Sequence, residues 1–356
     1  MAAADLITYN LTNNTVAVAE PEPSTNPWQG VYDFAAQFTA IAFFVTGLGI
    51  FIGNVALVYP IAYHKAFRIR KEYIVIGGLA LADALNGLAF VIGGAWRMTR
   101  SFMYGSSSNT LGLTSFGCAL MPFNLLWGPF YPGIALMLCV MSTDRLLVTV
   151  FTMWYIGQGP ALSYVMVGAV YLHGFVFEAV ALFTGYQLRV NGPVFTDMCW
   201  QGTTMSPAVF SYMLQVFSKA HIGSIVIFVF AIIAYVIHNK KAAQDGQINA
   251  QAAKQQKDMT IRMAWSTLAT LIMVVIPTEI ADYLYTREYP FQVVGLLYIL
   301  PNFNPLINVY LFLIKHKLMR KALSKAVGGK KMPVNLKDWV GQTTQVTKTV
   351  EVQPKM

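Results

Sequence analysis

Seven long apolar stretches succeed one another along the chain, near Phe34–Ala62, Tyr73–Trp96, Cys118–Phe151, Ala161–Leu188, Pro207–His238, Met259–Tyr285 and Phe291–Ile314. A helix needs about 20 such residues to cross ~30 Å of hydrocarbon, and within lipid it satisfies its own backbone polar groups. Charged residues make up 12% of the chain, against about 25% in soluble domains. The fold expected is an all-α membrane protein, a seven-transmembrane helix bundle over residues 34–314. Beyond it, Leu318, Met319, Ala322, Leu323, Ala326 and Val327 recur at helical spacing. They predict a short amphipathic helix over 315–327, lying on the inner leaflet. Residues 1–33 and the polar, Thr-rich 328–356 read as disordered tails.

The net charge of +9 is distributed in a way that orients the bundle. Lys65, Arg68, Arg70 and Lys71 flank the first connection, and Lys240, Lys241, Lys254, Lys257 and Arg262 lie in the fifth. Seven more basic residues, from Lys315 to Lys331, follow the last run, whereas residues 1–33 carry only acids. Lys and Arg collect on cytoplasmic loops, so the N-terminus lies outside and the C-terminus inside, at the plasma membrane. Basic residues that flank spans do not form one soluble face for nucleic acid; the lipid bilayer is their surrounding partner. No positive n-region precedes an apolar stretch, so the first span is expected to act as an uncleaved anchor. Asn10 and Asn13 begin glycosylation sequons on the outer tail. Cys118 opens the third run and Cys199 lies on an outer loop, an oxidising setting in which a disulfide between them is expected. Cys139 reads as a buried small hydrophobe.

Polar groups inside spans are costly and are kept for helix contacts or for function. Asn54, Asp83 and Asn304-Pro305 all fall toward the cytoplasmic half. Together they make either interhelical hydrogen-bond glue or a cluster able to hold water or a small cation such as sodium at Asp83. Asp144-Arg145 ends the third run, and Pro277 should kink the sixth.

In their order, Gly53-Asn54-Val55, Leu79-Ala80-Leu81-Ala82-Asp83, Cys118, Asp144-Arg145, Cys199, Pro277 and Asn304-Pro305 resemble the rhodopsin-like (class A) G protein-coupled receptors. The resemblance covers every run except the fourth and fifth, and looks most like nematode-type chemosensory serpentine receptors. It implies a receptor that binds an extracellular small molecule or peptide and activates a heterotrimeric G protein, with arrestin or a second receptor copy as further partners. Asp144, Arg145, Pro277, Asn304 and Pro305 would then carry activation and coupling. The chain departs from the family pattern in several places. Val275 stands where an aromatic is expected, Val274 where a cysteine is, and Asn308 where a tyrosine is.

The family geometry would line a ligand cavity with Phe123, Asn124, Trp127 and Tyr131 of run three, Lys219 of run five, Glu279 and Asp282 of run six, and Tyr298 of run seven. Lys219 and Glu279 would either pair with each other or anchor a polar group of the ligand. Run three has no carboxylate between Cys118 and Asp144, which argues against an amine receptor. Run seven has no lysine before Lys315, so the chain is not a retinal-binding opsin. A seven-span ligand-gated channel or transporter is the alternative; the sequence has no internal repeat to favour it. Neither a metal-ligand spacing nor a nucleophile–base pair nor a phosphate loop suggests an enzyme, and no cofactor is implied.

Overall fold

The computed structural model describes residues 29–104, 111–189, 198–200, 204–244, 260–261, 263–287 and 296–329. The sequons at Asn10 and Asn13, both tails beyond these limits, and the loop basics Lys254, Lys257 and Arg262 lie outside the described residues. Five uninterrupted helices come first: α1 (Gln29–Tyr63), α2 (Lys71–Tyr104), α3 (Pro122–Val150), α4 (Ala161–Arg189) and α5 (Pro207–Gln244). The sixth span is α6 (Met263–Ala281), and the shorter apolar α7 (Leu300–Ile314) follows. A final helix, α8 (Lys317–Val327), lies against the inner end of α1. Six of these helices are long and apolar enough to cross a membrane; α7 joins them to form the seven-helix bundle.

Packing places α2 at the centre and α5 at the rim. The central window of α2 is 72% buried, against 22% for α5. Phe34, Val45, Leu172, Phe183 and Phe230 are exposed on the outer surface, as lipid-facing residues should be. Helices α1 and α2 approach almost backbone to backbone. A Cβ added at Gly47 would sit 2.7 Å from Phe90 Cβ, and one at Gly94 would sit 2.8 Å from the Phe44 nitrogen. Small residues permit such contacts in lipid, where dispersion replaces the hydrophobic drive.

The prolines are absorbed in three different ways. Pro122 occupies the first turn of α3, where its missing N–H costs nothing. The helix therefore starts after Cys118, which sits on a separate one-turn helix, Ser115–Ala119. This break corrects the expected continuous run from Cys118 and accounts for that cysteine's distance from Arg145. Pro277 is preceded by a π-helical turn, Leu271–Val275, in which the Ile276 N–H reaches back to the Leu271 carbonyl. The wider turn accommodates the proline beyond it. Helix α7 opens as a 3₁₀ turn, Leu300–Asn302, continues as α-helix through Asn304-Pro305 and ends as a π-turn, Tyr310–Ile314.

Candidate functional site

At the outer end, the Cys118–Cys199 disulfide ties the loop before α5 to the one-turn helix that precedes α3. Cys199 has φ 49, a left-handed conformation that a non-glycine residue adopts at a cost. Its carbonyl is held from two sides. Asn124 Nδ2 donates to it at 3.5 Å and to the Cys118 carbonyl at 2.8 Å. Arg97 Nη2 donates to the Cys199 carbonyl at 3.2 Å, and Nε to the Met198 carbonyl at 3.1 Å. The guanidinium carbon lies 4.3 Å from the Trp200 ring centre and 5.1 Å from that of Phe123. Arg97 is 1% exposed. Sequence reasoning passed over it because it follows the apolar run directly, where a basic residue reads as an interfacial flank.

One level inward, Trp127, Tyr131 and Phe217 form an aromatic stack from α3 to α5. Successive ring centres are 4.5 and 4.1 Å apart, the second pair nearly parallel at 8°. Val274 of α6 packs in the same cluster, and the half-buried Tyr298 borders it. The stripe predicted on α3, Phe123, Asn124, Trp127 and Tyr131, is thus buried in the bundle.

Lys219 and Glu279 are not. Both are exposed on the bundle's perimeter, and each bonds to a neutral neighbour. Lys219 Nζ donates to Gln215 at 3.0 Å, and Glu279 accepts from Ser218 Oγ at 2.5 Å. This corrects both the expected Lys219–Glu279 pair and their inward orientation. The reason is azimuthal. Met213, Phe217 and His221 define the buried face of α5, and Lys219 lies about 200° around the helix from Phe217 at ~100° per residue. On α6 the buried face runs through Val274, Thr278 and Ala281, leaving Glu279 outside it. Asp282 lies on the helix, with its side chain outside the described residues.

The middle of the bundle holds a polar layer. Asn54, Asp83, Asn86, Asn302, Asn304 and Asn308 are all buried. Gly53 packs on Val309, with 3.1 Å from its would-be Cβ to the valine methyls, which brings Asn54 level with Asn308. Both carboxylate oxygens of Asp83 and the Oδ1 atoms of Asn54 and Asn86 have no hydrogen-bond partner among the described residues. Carboxylate and carbonyl oxygens are of the type that binds water or a small hard cation. Helices α6 and α7 are joined beside it by two rungs. Thr270 Oγ1 donates to Asn304 Oδ1 at 3.2 Å, and Ser266 Oγ to Asn308 Oδ1 at 2.6 Å. Neither Ser266 nor Thr270 stood out in the sequence, because hydroxyls in a span are common.

At the inner end, Arg145 clasps Asp144, with Nη2 at 2.6 Å and Nε at 3.1 Å from Oδ2. Tyr155, on the short helix Thr152–Gly157 after α3, donates its hydroxyl to Asp144 Oδ1. Burial, and then the Asp144 charge, push the Tyr155 phenol above its ordinary pKa, so it remains a neutral donor. Lys71 of α2 donates to the Tyr155 carbonyl and lies 3.8 Å from the centre of its ring. Arg145 also borders a void of about 10 Å³ lined by Thr149, Phe228, Ala231, Tyr235 and Thr260. That is room for about one water beside the guanidinium.

Residues 53–310 match the family described as 7 transmembrane receptor (rhodopsin family). No curated protein matches the chain.

Proposed function

Because the chain belongs to the rhodopsin family of seven-transmembrane receptors, we propose that it binds an extracellular small molecule or peptide between the outer halves of α3, α5, α6 and α7 and relays that binding to a heterotrimeric G protein at Arg145. Receptors of this family are signalling proteins of the membrane with an extracellular N-terminus, and they are not enzymes. Membership therefore replaces the channel or transporter alternative. The observation that carries the coupling site is the clasp of Arg145 by Asp144 beside a void with room for about one water. An ion pair at a partly wetted edge is opened by a shift of a few kcal/mol, within the range of ligand-driven population change.

The ligand side rests on the aromatic stack Trp127–Tyr131–Phe217 beneath the disulfide, with Phe123 and Asn124 above it and Tyr298 at its border. An apolar wall with few polar groups is the usual form of a small-molecule site. Asp83, Asn54 and Asn86 would hold the cation or water of the polar layer, and Pro277, Asn304 and Pro305 stand where α6 and α7 depart from regular helix. The sparse family markers of α4 and α5 favour a chemosensory receptor of the nematode type.

The test is G protein dissociation in cells expressing the receptor, challenged with a chemical and peptide library. Arg145→Ala at matched surface density should abolish every response. A response that survives that substitution undiminished would remove Arg145 from the coupling site.

A further inference from the structure

Arg97 is a buried cation at the outer end of the bundle. Its two hydrogen bonds go to neutral carbonyls, those of Met198 and Cys199, through Nε and Nη2. The ion pairs recorded among the described residues, Arg70–Glu72 and Asp144–Arg145, do not include Arg97. A cation buried to 1% exposure with no counter-charge among the described residues is expensive, because carbonyl dipoles and ring faces replace only part of its hydration. A hydrophobic side chain would fill the same space between Phe123 and Trp200 without that cost.

An unsatisfied group lies beside it. Asn124 is 2% exposed, and its Oδ1 has no hydrogen-bond partner among the described residues. Arg97 and Asn124 both donate to the Cys199 carbonyl, so a guanidinium and an unused acceptor flank one atom. Trp127 lies one turn below Asn124 and begins the aromatic stack that continues to Phe217. Anion-binding donor, neutral acceptor and apolar wall therefore follow one another down the bundle from the disulfide.

We propose that Arg97 and Asn124 form an anion subsite of the ligand pocket. The agonist class is then a small carboxylic acid with an aromatic body and an O–H or N–H group near the carboxylate. The carboxylate pairs with the Arg97 guanidinium, which is shaped for two-point recognition of such groups. The neighbouring donor reaches Asn124 Oδ1, and the ring lies on Trp127. The absence of any carboxylate in α3 between Cys118 and Asp144 agrees with this polarity, since the site then repels amines. Glu178 of α4 packs against Gly128, one turn inward of Asn124, and makes no ion pair with Arg97. This inference rests on the receptor reading, but its binding step can be measured without a G protein.

The probes are 3-phenyllactate, its methyl ester, 3-phenylpropionate and phenethylamine, applied to the purified full-length receptor in lipid nanodiscs. Thermal unfolding is followed at fixed pH and ionic strength. Phenyllactate should raise the melting temperature, phenylpropionate should do so less, and the ester and amine should have no effect. These comparisons use the unaltered chain, so they survive a variant that fails to fold. Arg97→Gln should weaken phenyllactate binding roughly tenfold or more, with Arg97→Lys intermediate. Equal shifts by acid and ester, a shift by the amine alone, or no shift by either acid at millimolar concentration would each overturn the proposal. The two readings fail separately. Acid-specific stabilisation without G protein dissociation would refute coupling and leave the subsite standing. Dissociation driven only by neutral or cationic probes would do the reverse.

Discussion

The two hydroxyl–amide rungs between α6 and α7 lead to a quantitative expectation about resting activity. Ser266 Oγ meets Asn308 Oδ1 at 2.6 Å, and Thr270 Oγ1 meets Asn304 Oδ1 at 3.2 Å, all four residues being buried. On the proposed coupling at Arg145, the inner end of α6 must leave the bundle so that the void beside that residue can open. Rungs that hold α6 to α7 then stabilise only the closed state. Side-chain hydrogen bonds between membrane helices contribute about 0.6 kcal/mol on average and about 1.7 kcal/mol at most. Ser266→Ala removes one rung and leaves Asn308 without its Oδ1 partner, while its Nδ2 already has none among the described residues. If the unliganded receptor is active about 1% of the time, the lost bond raises that fraction about threefold to fifteenfold.

Basal G protein dissociation at matched surface density measures this directly, with Arg145→Ala in the same background to show that the signal is receptor-borne. Thr270→Val should act in the same direction and more weakly, since its rung is longer. The double variant Ser266→Ala/Asn308→Ala should show non-additivity, because both substitutions remove the same bond. Basal signalling unchanged or lowered in both single variants would mean that the rungs persist when α6 moves, and the reasoning would be wrong.

Other substitutions test the remaining contacts. Tyr155→Phe deletes the hydroxyl that helps hold Asp144 and should raise basal signalling, an effect read in the same assay; its neutral phenol makes this contribution insensitive to pH across the physiological range. Gly174→Ala places a Cβ 2.5 Å from the Pro129 carbonyl oxygen, a backbone atom that cannot swing away, and should lower the melting temperature of the purified receptor by an amount equivalent to about 1–3 kcal/mol. Gly223→Ala is the control, because its nearest neighbour, Cys139 Sγ, would be at 3.9 Å. Cys199→Ser opens a link between residues 81 positions apart. It should cost at most about 4.5 kcal/mol by loop-closure entropy, less in a chain already confined by the bilayer, and be seen as reduced surface expression. Val274→Ala hollows the α6 contact with the aromatic stack and should lower agonist efficacy more than agonist binding, measured by comparing the maximal response with probe affinity.

The spans were legible in the sequence because length and apolarity alone define a membrane helix, whatever its neighbours. The disulfide was legible too, since only two of the three cysteines lie on the oxidising side. What could not be read was azimuth. Lys219 and Glu279 stand at the expected depth, yet both face outward, because the face of a long helix that is apolar all round is chosen by its partners. The α6–α7 rungs escaped for a different reason. Asn308 was legible as a missing tyrosine, but its partner Ser266 lies 42 residues away in another span, and nothing local marks that hydroxyl as paired. Arg97 escaped because the cost of an unpaired charge depends on burial, and burial at a helix end is set by the loop that folds over it.

The departures from the family pattern compensate one another in space. Val275 replaces an aromatic on α6, and the π-turn over Leu271–Val275 turns Val274 into the core instead. Val274 packs in one cluster with Tyr131 and Phe217, whose rings stack 4.1 Å apart. One turn further in on α6, Thr270 and Ser266 bond to Asn304 and Asn308, where the latter stands in place of a tyrosine. A ligand that displaces the Trp127–Tyr131–Phe217 stack would therefore press on Val274, four residues from Thr270 and eight from Ser266 along the same helix. Those spacings are about one and two helical turns, so the Val274 contact and both rungs lie along one side of α6. Two losses, an aromatic and a tyrosine, thus become one continuous seam in which small side chains and hydroxyls connect the aromatic stack to the α6–α7 rungs.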